Sequence, residues 1–407
     1  MIYRPRWYKT ARYPERTDPQ SMPFFPDFPP DETLRALGVD PRHIIRAAPV
    51  NGGFSGARLT RLWLAIPAGA WPGAPRWHAT RIVKTQVAES GWIASATRDT
   101  HIREIALWQT GLAARLPRRI GLAVERFFPL EPGGPPASGP AALLMRDMRA
   151  RLMRGPLRTP PGRLPAPILD ALDALAALHA RFWNARELDD PRLGLASQRD
   201  TLLWLSPDAI EKALAAGLTE PYLWLARRGW EAFFRLIAPE DAATLAATLA
   251  RPDRALAAIA RLPRTLVHGD VWGPNLGRLP PTRRAPRSGS RVLLIDWALA
   301  SAAPATWDPL AMCGAWHTLS PTVLLAAYRA HLTRHLAARG VTLEPGIWRL
   351  LVASAYLRGA LATGEAYARA AEDAADGRAR SRALARLRWW ARRGAQGARL
   401  LEGINSP

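Results

Sequence analysis

The chain has 407 residues, of which 48% are hydrophobic and 22% charged. That balance excludes a disordered polypeptide and leaves room for two or three domains, or for one enzyme in two unequal lobes. Its formal charge is +22, from 56 basic and 34 acidic side chains, so polyanions, nucleotides and anionic membrane surfaces are attracted without further specialisation. Only Lys9, Lys84 and Lys212 are lysines against 53 arginines. A bias spread through the whole composition makes charge alone a weak argument for nucleic acid. The single cysteine, Cys313, excludes an internal disulfide framework and every multi-cysteine metal motif. No signal peptide and no run of 18 apolar residues is present, so the expected location is the cytoplasm.

In chain order, residues 1–30 are rich in proline and charge and read as an irregular extension. Asp31, Glu32 and Leu34 start a short helix that Gly38 stops. Strands follow: IIRAAPV, the turn Asn51-Gly52-Gly53, then FSGARLTRLWLAI with Leu62, Leu64 and Ile66 on one face. HATRIVKTQ alternates Ile82 and Lys84 with Arg81 and Val83. Residues 97–114 predict one helix, and RIGLAVERFF and AALLMRDM predict two more strands. Residues 149–165, rich in arginine and proline, suit a linker. From Pro167 the apolar spacing is helical, interrupted between Thr265 and Trp297 by a small β island made of TLVHGD, NLGRL and RVLLIDWA; helices resume over 321–402. The expected units are therefore an extension (1–30), an N-terminal lobe (31–148), a linker (149–165) and a helical C-terminal lobe (166–407).

The β island carries most of the chemistry. His268-Gly269-Asp270-Val271-Trp272-Gly273-Pro274-Asn275 is followed 21 residues after Asn275 by Ile295-Asp296-Trp297. Phosphoryl transfer needs a carboxylate that orients and accepts the proton of an attacking hydroxyl, and oxygen ligands that hold Mg2+ against nucleotide phosphates. Asp270 fits the base; Asn275 and Asp296 fit the metal ligands.

At these residues the chain resembles the aminoglycoside phosphotransferase and choline kinase-like family, small-molecule relatives of the protein kinases, over about residues 45 to 320. The resemblance implies an α+β, two-lobed, protein kinase-like fold: a small antiparallel β lobe with one main helix and a larger, mostly α-helical lobe. Gly269 and Trp297 depart from the protein-kinase motifs and point to the small-molecule branch. The resemblance also implies that His268 shapes the loop and that Asp308 supports it. It places Lys84 on the α- and β-phosphates of ATP, with Glu104 holding it.

Gly53 and Ser55, in Asn51-Gly52-Gly53-Phe54-Ser55-Gly56, are the residues set to cover the phosphates, although an ordinary hairpin turn reads equally well. Met145 is assigned to the adenine pocket at the interlobe connector, with a plain core methionine as the other reading. His331 and His335 lack a third ligand and predict no zinc site. For the acceptor, a cationic alcohol would call for Glu365, Glu372, Asp373 and Asp376, or for Trp224, Trp230, Trp316 and Trp348; each also reads as an ordinary surface or core residue. The expected activity is Mg2+-dependent transfer of the γ-phosphoryl group of ATP to a small-molecule hydroxyl, with no specific nucleic-acid partner. A catalytically silent nucleotide-binding scaffold and a basic nucleic-acid or membrane-surface binder are the alternatives.

Overall fold

The computed structural model describes residues 29–50, 57–65, 79–86, 91–128, 141–153, 162–279, 291–316 and 318–404. Gly53, Ser55, Ile66 and nearly all of the N-terminal extension lie outside the described residues. The architecture is α+β in two lobes.

In the first lobe, α1 (Asp31–Ala36) precedes an antiparallel sheet of β1 (Ile44–Pro49), β2 (Arg58–Leu64), β3 (Ala79–Gln86), β5 (Val124–Phe128) and β6 (Ala141–Arg146), in the order β1-β2-β3-β6-β5. Side chains alternate across each strand, and both faces are covered. Val83, Leu62 and Leu144 pack on Leu34, Leu37 and Val39 from α1 and the turn after it. Ile82, Leu143 and Met145 face the other way, against Ile102 and Ile105. Lys84 shares the face of Ile82.

The stretch 97–114 is not one helix, as its spacing predicts. It holds α3 (Arg103–Gln109) and a 3-10 turn at Leu112–Arg115, and a separate short helix, α2 (Trp92–Ala96), ends just before it. Arg98 and Ile102 have positive φ values of 52° and 49°, which no helix accepts. The break lets Arg103 plunge inward. Its guanidinium is fully buried, with Nε donating to the Gly194 carbonyl at 2.7 Å, Nη2 to that of Thr97 at 3.2 Å and Nη1 to that of Ala298. Asp99 Oδ1 accepts the Arg103 amide at 2.8 Å.

The predicted β island is two small sheets: β4 (Ile120–Gly121), β9 (Arg291–Leu294) and β8 (Leu276–Leu279) in one, and β7 (Thr265–Val267) with β10 (Ser301–Ala303) in the other. β10 had no sequence signal. β9 is apolar on both faces because it is a middle layer: Leu293 packs under the large sheet with Ile82 and Ile105, while Val292 and Leu294 join the helical core. Within the stretch read as linker, Met153 donates its amide to the Leu276 carbonyl at 2.7 Å, which ties the chain to β8.

The second lobe consists of α4 (Ala166–Arg181), α5 (Gln198–Leu203), α6 (Pro207–Ala215), α7 (Pro221–Leu236), α8 (Pro239–Ala250), α9 (Asp253–Ala260), α10 (Trp307–Ala315), α11 (Pro321–Ala337), α12 (Pro345–Glu372) and α13 (Gly377–Gly403). The last two form a long antiparallel pair in which Gly394 and Gly397 meet Ala360 and Ala353, small against small. No described helix is long and apolar enough to cross a membrane.

Arg103 is the rivet between α3 and the segment after Asp296. Replacing it by methionine strips a buried carboxylate of its counter-charge and three carbonyls of their donor, so Arg103→Met should lower stability by about 3–5 kcal/mol in urea unfolding.

Candidate active site

Three segments far apart in sequence meet where the large sheet faces β8 and β9. Lys84 Nζ donates to Glu104 Oε2 at 2.6 Å and to Asp296 Oδ1 at 2.8 Å. The Lys84 and Glu104 side chains are 5% and 3% exposed, whereas that of Asp296 is 35% exposed. The ion triad is therefore buried at one end and opens through Asp296. Burial opposes the charge on Lys84, but the two carboxylates more than offset it and hold the ammonium protonated. Burial would likewise raise Asp296, and Lys84 reverses the direction, leaving an ionised carboxylate. Asp296 sits at φ +65°, a left-handed conformation that aspartate tolerates better than most residues; it turns the end of β9 sharply.

The loop before β8 is organised by its backbone. Gly269 has φ +84°, and a Cβ there would strike the Leu299 carbonyl, so only glycine fits. Asp308 Oδ1 accepts the Gly269 amide and its Oδ2 the His268 amide, both at 2.8 Å; His179 Nε2 donates to Oδ2 at 3.1 Å. On the opposite side Arg358 Nη2 donates to the Gly269 carbonyl at 2.6 Å. The Gly269 residue is thus gripped at both its N–H and its C=O. Arg358 is 5% exposed and lies over the Trp307 ring at 5.4 Å.

His268 is fixed as a neutral ring. Its Nε2 donates to the Ile295 carbonyl at 3.0 Å and its Nδ1 accepts the Asp270 amide at 3.2 Å. Both nitrogens are spent on backbone groups and burial lowers the affinity for a second proton, so the histidine is support and not a proton acceptor.

Asp270 emerges from this grip partly exposed. Oδ2 accepts Asn275 Nδ2 at 2.7 Å and Trp272 Nε1 at 3.2 Å. Oδ1 accepts nothing among the described residues and remains available to an incoming hydroxyl. Burial and the nearby Asp296 charge push the Asp270 carboxyl up to about 7, against Arg358, Trp272 and Asn275, which lower it. Asn275 passes its carbonyl to the Ile295 amide at 3.1 Å, which couples the loop directly to the residue before Asp296.

Two carboxylates and an amide converging beside one ammonium form a hard-oxygen donor set, the kind that suits Mg2+ when phosphate oxygens complete the shell. The donor set favours it: Asp296 is ionised and partly exposed beside Lys84, and Asp270 Oδ1 accepts nothing among the described residues. No cluster of three or more His, Cys, Asp or Glu side chains with metal-holding geometry occurs among the described residues, so the protein alone is not a complete cage.

Of the sequence-derived residues, Asp270, Asn275, Asp296, Lys84 and Glu104 come together. Met145 is buried opposite Ile82 in the sheet. Arg358 and Arg103 carried no signal, being two among 53 arginines. His331 and His335 reach the same Asp173 carboxylate, at 3.3 and 2.8 Å, which Arg334 also binds, an ion-pair cluster on α11 and α4.

No family model and no curated protein sequence matches the chain. Among solved structures it is similar to an ethanolamine kinase of Plasmodium vivax, at 11% identity over 84% of this chain and 80% of that one, with a TM-score of 0.44. It is also similar to a choline kinase of Streptococcus pneumoniae (13%, 90% and 97%, TM-score 0.43) and to a spectinomycin phosphotransferase in complex with ADP and spectinomycin (11%, 91% and 97%, TM-score 0.43). These are choline/ethanolamine kinases and aminoglycoside phosphotransferases, the group that the loop motif resembles. Their TM-scores lie below 0.5, so the chemistry is argued from this chain's own atoms.

Because the Asp270 carboxyl sits near 7 instead of at 3.8, its ionisation in the fold costs stability. The cost is absent below about pH 4, grows between about 4 and 7, and is complete above 7. Asp270→Asn should therefore raise the thermal midpoint at pH 8 and leave it unchanged at pH 4, as measured by calorimetry at the two pH values.

Proposed function

We propose that the protein is a phosphotransferase that moves the γ-phosphoryl group of ATP to a hydroxyl of a small molecule, with Mg2+ as the metal. The observation that carries this reading is the meeting of Lys84 with Asp296, 212 residues away, beside an Asp270 whose Oδ1 is unengaged. An ion triad open at one carboxylate, next to a free carboxylate oxygen, fits a triphosphate on one side and an alcohol on the other.

In this reading Asp270 Oδ1 accepts the hydrogen of the acceptor hydroxyl and orients its oxygen at the γ-phosphorus. The new O–P bond forms as the bond to the ADP oxygen breaks, and the proton passes to Asp270 and then to solvent. A base with a pKa near the working pH suits that exchange. Lys84, held by Glu104, offers its ammonium to the nucleotide phosphates; the hard, compact charge explains a lysine in a chain that otherwise uses arginine. Asn275 and Asp296 would hold Mg2+, which when bound neutralises phosphate charge. Arg358 and Asp308 fix the peptide that aims Asp270.

The test is MgATP consumption across a panel of alcohols, with Asp270→Asn as the blank. Transfer should fall by about 10²–10⁴ in that variant, while nucleotide binding persists. Lys84→Met should weaken ATP binding instead. Nucleotide binding with no transfer to any alcohol would favour a silent scaffold and end the enzymatic reading.

Arg358 gives a second, separable outcome. Arg358→Met should lower kcat with the KM for ATP unchanged, because it disturbs the aim of Asp270 and not the triad; Arg358→Lys, which keeps a donor, should recover part of the loss. An equal change in both constants would contradict the assigned role.

A further inference from the structure

Each of the acidic residues that a cationic acceptor would call for has at least one partner in the fold. Glu365 is fully buried; its Oε1 accepts the Tyr222 hydroxyl at 2.7 Å, and its Oε2 has no hydrogen-bond partner among the described residues. Glu372 is held by Arg235, Asp373 accepts Arg228 Nη2 at 2.6 Å, and Asp376 caps α13 through the Ala379 amide at 2.6 Å. Trp230 is buried, and Trp224 is exposed with Arg227 over its ring. Burial pushes the Glu365 carboxyl up towards its neutral form, and the other three are exposed groups held by arginines or by a helix N-terminus.

The opposite chemistry is open. A cavity of about 420 Å³ lies between α10, the turn into α11, and α13, a volume within the usual range of small-molecule sites. Arg382, Arg386, Trp389 and Trp390 line it from α13, and Cys313 and Leu319 close the other wall; none of the lining residues is acidic. The two indoles meet edge to face, with centroids 5.1 Å apart. Burial pushes the Tyr367 phenol up, against Arg386 and Trp390, which lower it. Burial pushes the Cys313 thiol up to about 12, so the wall is apolar and unreactive.

The end of α10 connects the cavity to the loop of the proposed active site. Cys313 and Trp316 are three residues apart at the end of α10, and the Trp316 indole packs on Gly273, where a Cβ would stand 3.1 Å from the ring. Gly273 belongs to the loop that carries Asp270 and Asn275.

We propose that this cavity binds the non-reacting end of the acceptor, and that the acceptor is an alcohol carrying a carboxylate, sulfate or phosphate on an aromatic or otherwise apolar body. The inference rests on the phosphotransferase reading. Guanidinium groups pair with such anions in a fork that an ammonium cannot match, and indole faces take a flat apolar body. The net charge of +22 draws an anionic acceptor in and repels a polycation.

The test separates the site from the reaction. 8-Anilinonaphthalene-1-sulfonate, an aromatic anion, and N-phenyl-1-naphthylamine, the same body without the charge, are titrated into the full chain and followed by dye fluorescence. Arg382→Glu reverses an exposed charge at the cavity, and Ala385→Trp fills it from an exposed lining position; neither change touches the core. The sulfonate should bind the wild type and lose about fivefold or more in Arg382→Glu. The uncharged dye should change less than the sulfonate, Ala385→Trp should abolish both, and Asp270→Asn should alter neither. In the MgATP screen, anionic aryl or alkyl alcohols should be phosphorylated in preference to amino alcohols, with an acceptor KM that rises in Arg382→Glu while the KM for ATP stays put.

Sulfonate binding indifferent to both cavity variants overturns the proposal, as does transfer to cationic or neutral alcohols with an unchanged KM in those variants; in the latter case the phosphotransferase reading survives. Cavity-dependent sulfonate binding with no transfer to any alcohol has the reverse meaning: the anion site stands and the phosphotransferase reading falls.

Discussion

The contact on which the site depends is the salt bridge from Lys84 to Asp296. It joins the third strand of the large sheet to the end of β9, and everything between them in sequence must fold so that a 2.8 Å contact forms. A buried ammonium with one carboxylate would be a poor source of stability, because desolvation of both ions offsets most of their attraction. Here Glu104 supplies the second carboxylate from α3, and Arg103, its neighbour, bolts that helix to the carbonyl of Ala298. The helix that positions the glutamate is thereby anchored to the segment that positions the aspartate, so the triad is held from both ends.

A second constraint acts on the loop of Asp270. At the site the fold holds Gly269 and Asp296 in left-handed conformations, and burial together with the nearby Asp296 charge makes the Asp270 carboxyl resist ionisation. Such features cost stability and persist because the surroundings over-determine them. Asp308 and Arg358 do this by binding the N–H and C=O of the same glycine, one from α10 and one from α12. His268, with both ring nitrogens on backbone groups, completes the support. Repulsion and strain at the site are thus balanced by hydrogen bonds made to main chain, which leave one oxygen of Asp270 free of partners among the described residues.

The strongly basic composition acquires a different meaning in three dimensions. Many of the described arginines are spent on carboxylates or carbonyls: Arg228, Arg235 and Arg264 hold acidic side chains on the helical lobe, and Arg103 and Arg358 are buried on main chain. Around the cavity beside α13 the lining contains arginine and tryptophan without an acid. The overall charge then assists local chemistry through the long-range field.

The alternation of β3, the apolar run of β9, the helical spacing after Pro167 and the short spacing from Asp270 to Asn275 are all local patterns, and each was legible because period and turn chemistry are set by neighbouring residues. Lys84 stood out by its rarity and Glu104 by lying on the next helical segment. The break at Ile102, the strand β10 and the left-handed turn at Asp296 were not legible, since each is imposed by a partner distant in sequence. Arg103 and Arg358 could not be picked from 53 like residues. Sequence by itself determined which carboxylate, amide and ammonium side chains stand at short spacing or stand out by rarity, because that is a property of side-chain type and order. Tertiary structure alone decided which of them meet, which charges are already neutralised and which remain open to a ligand, because those depend on burial and on contacts between segments hundreds of residues apart.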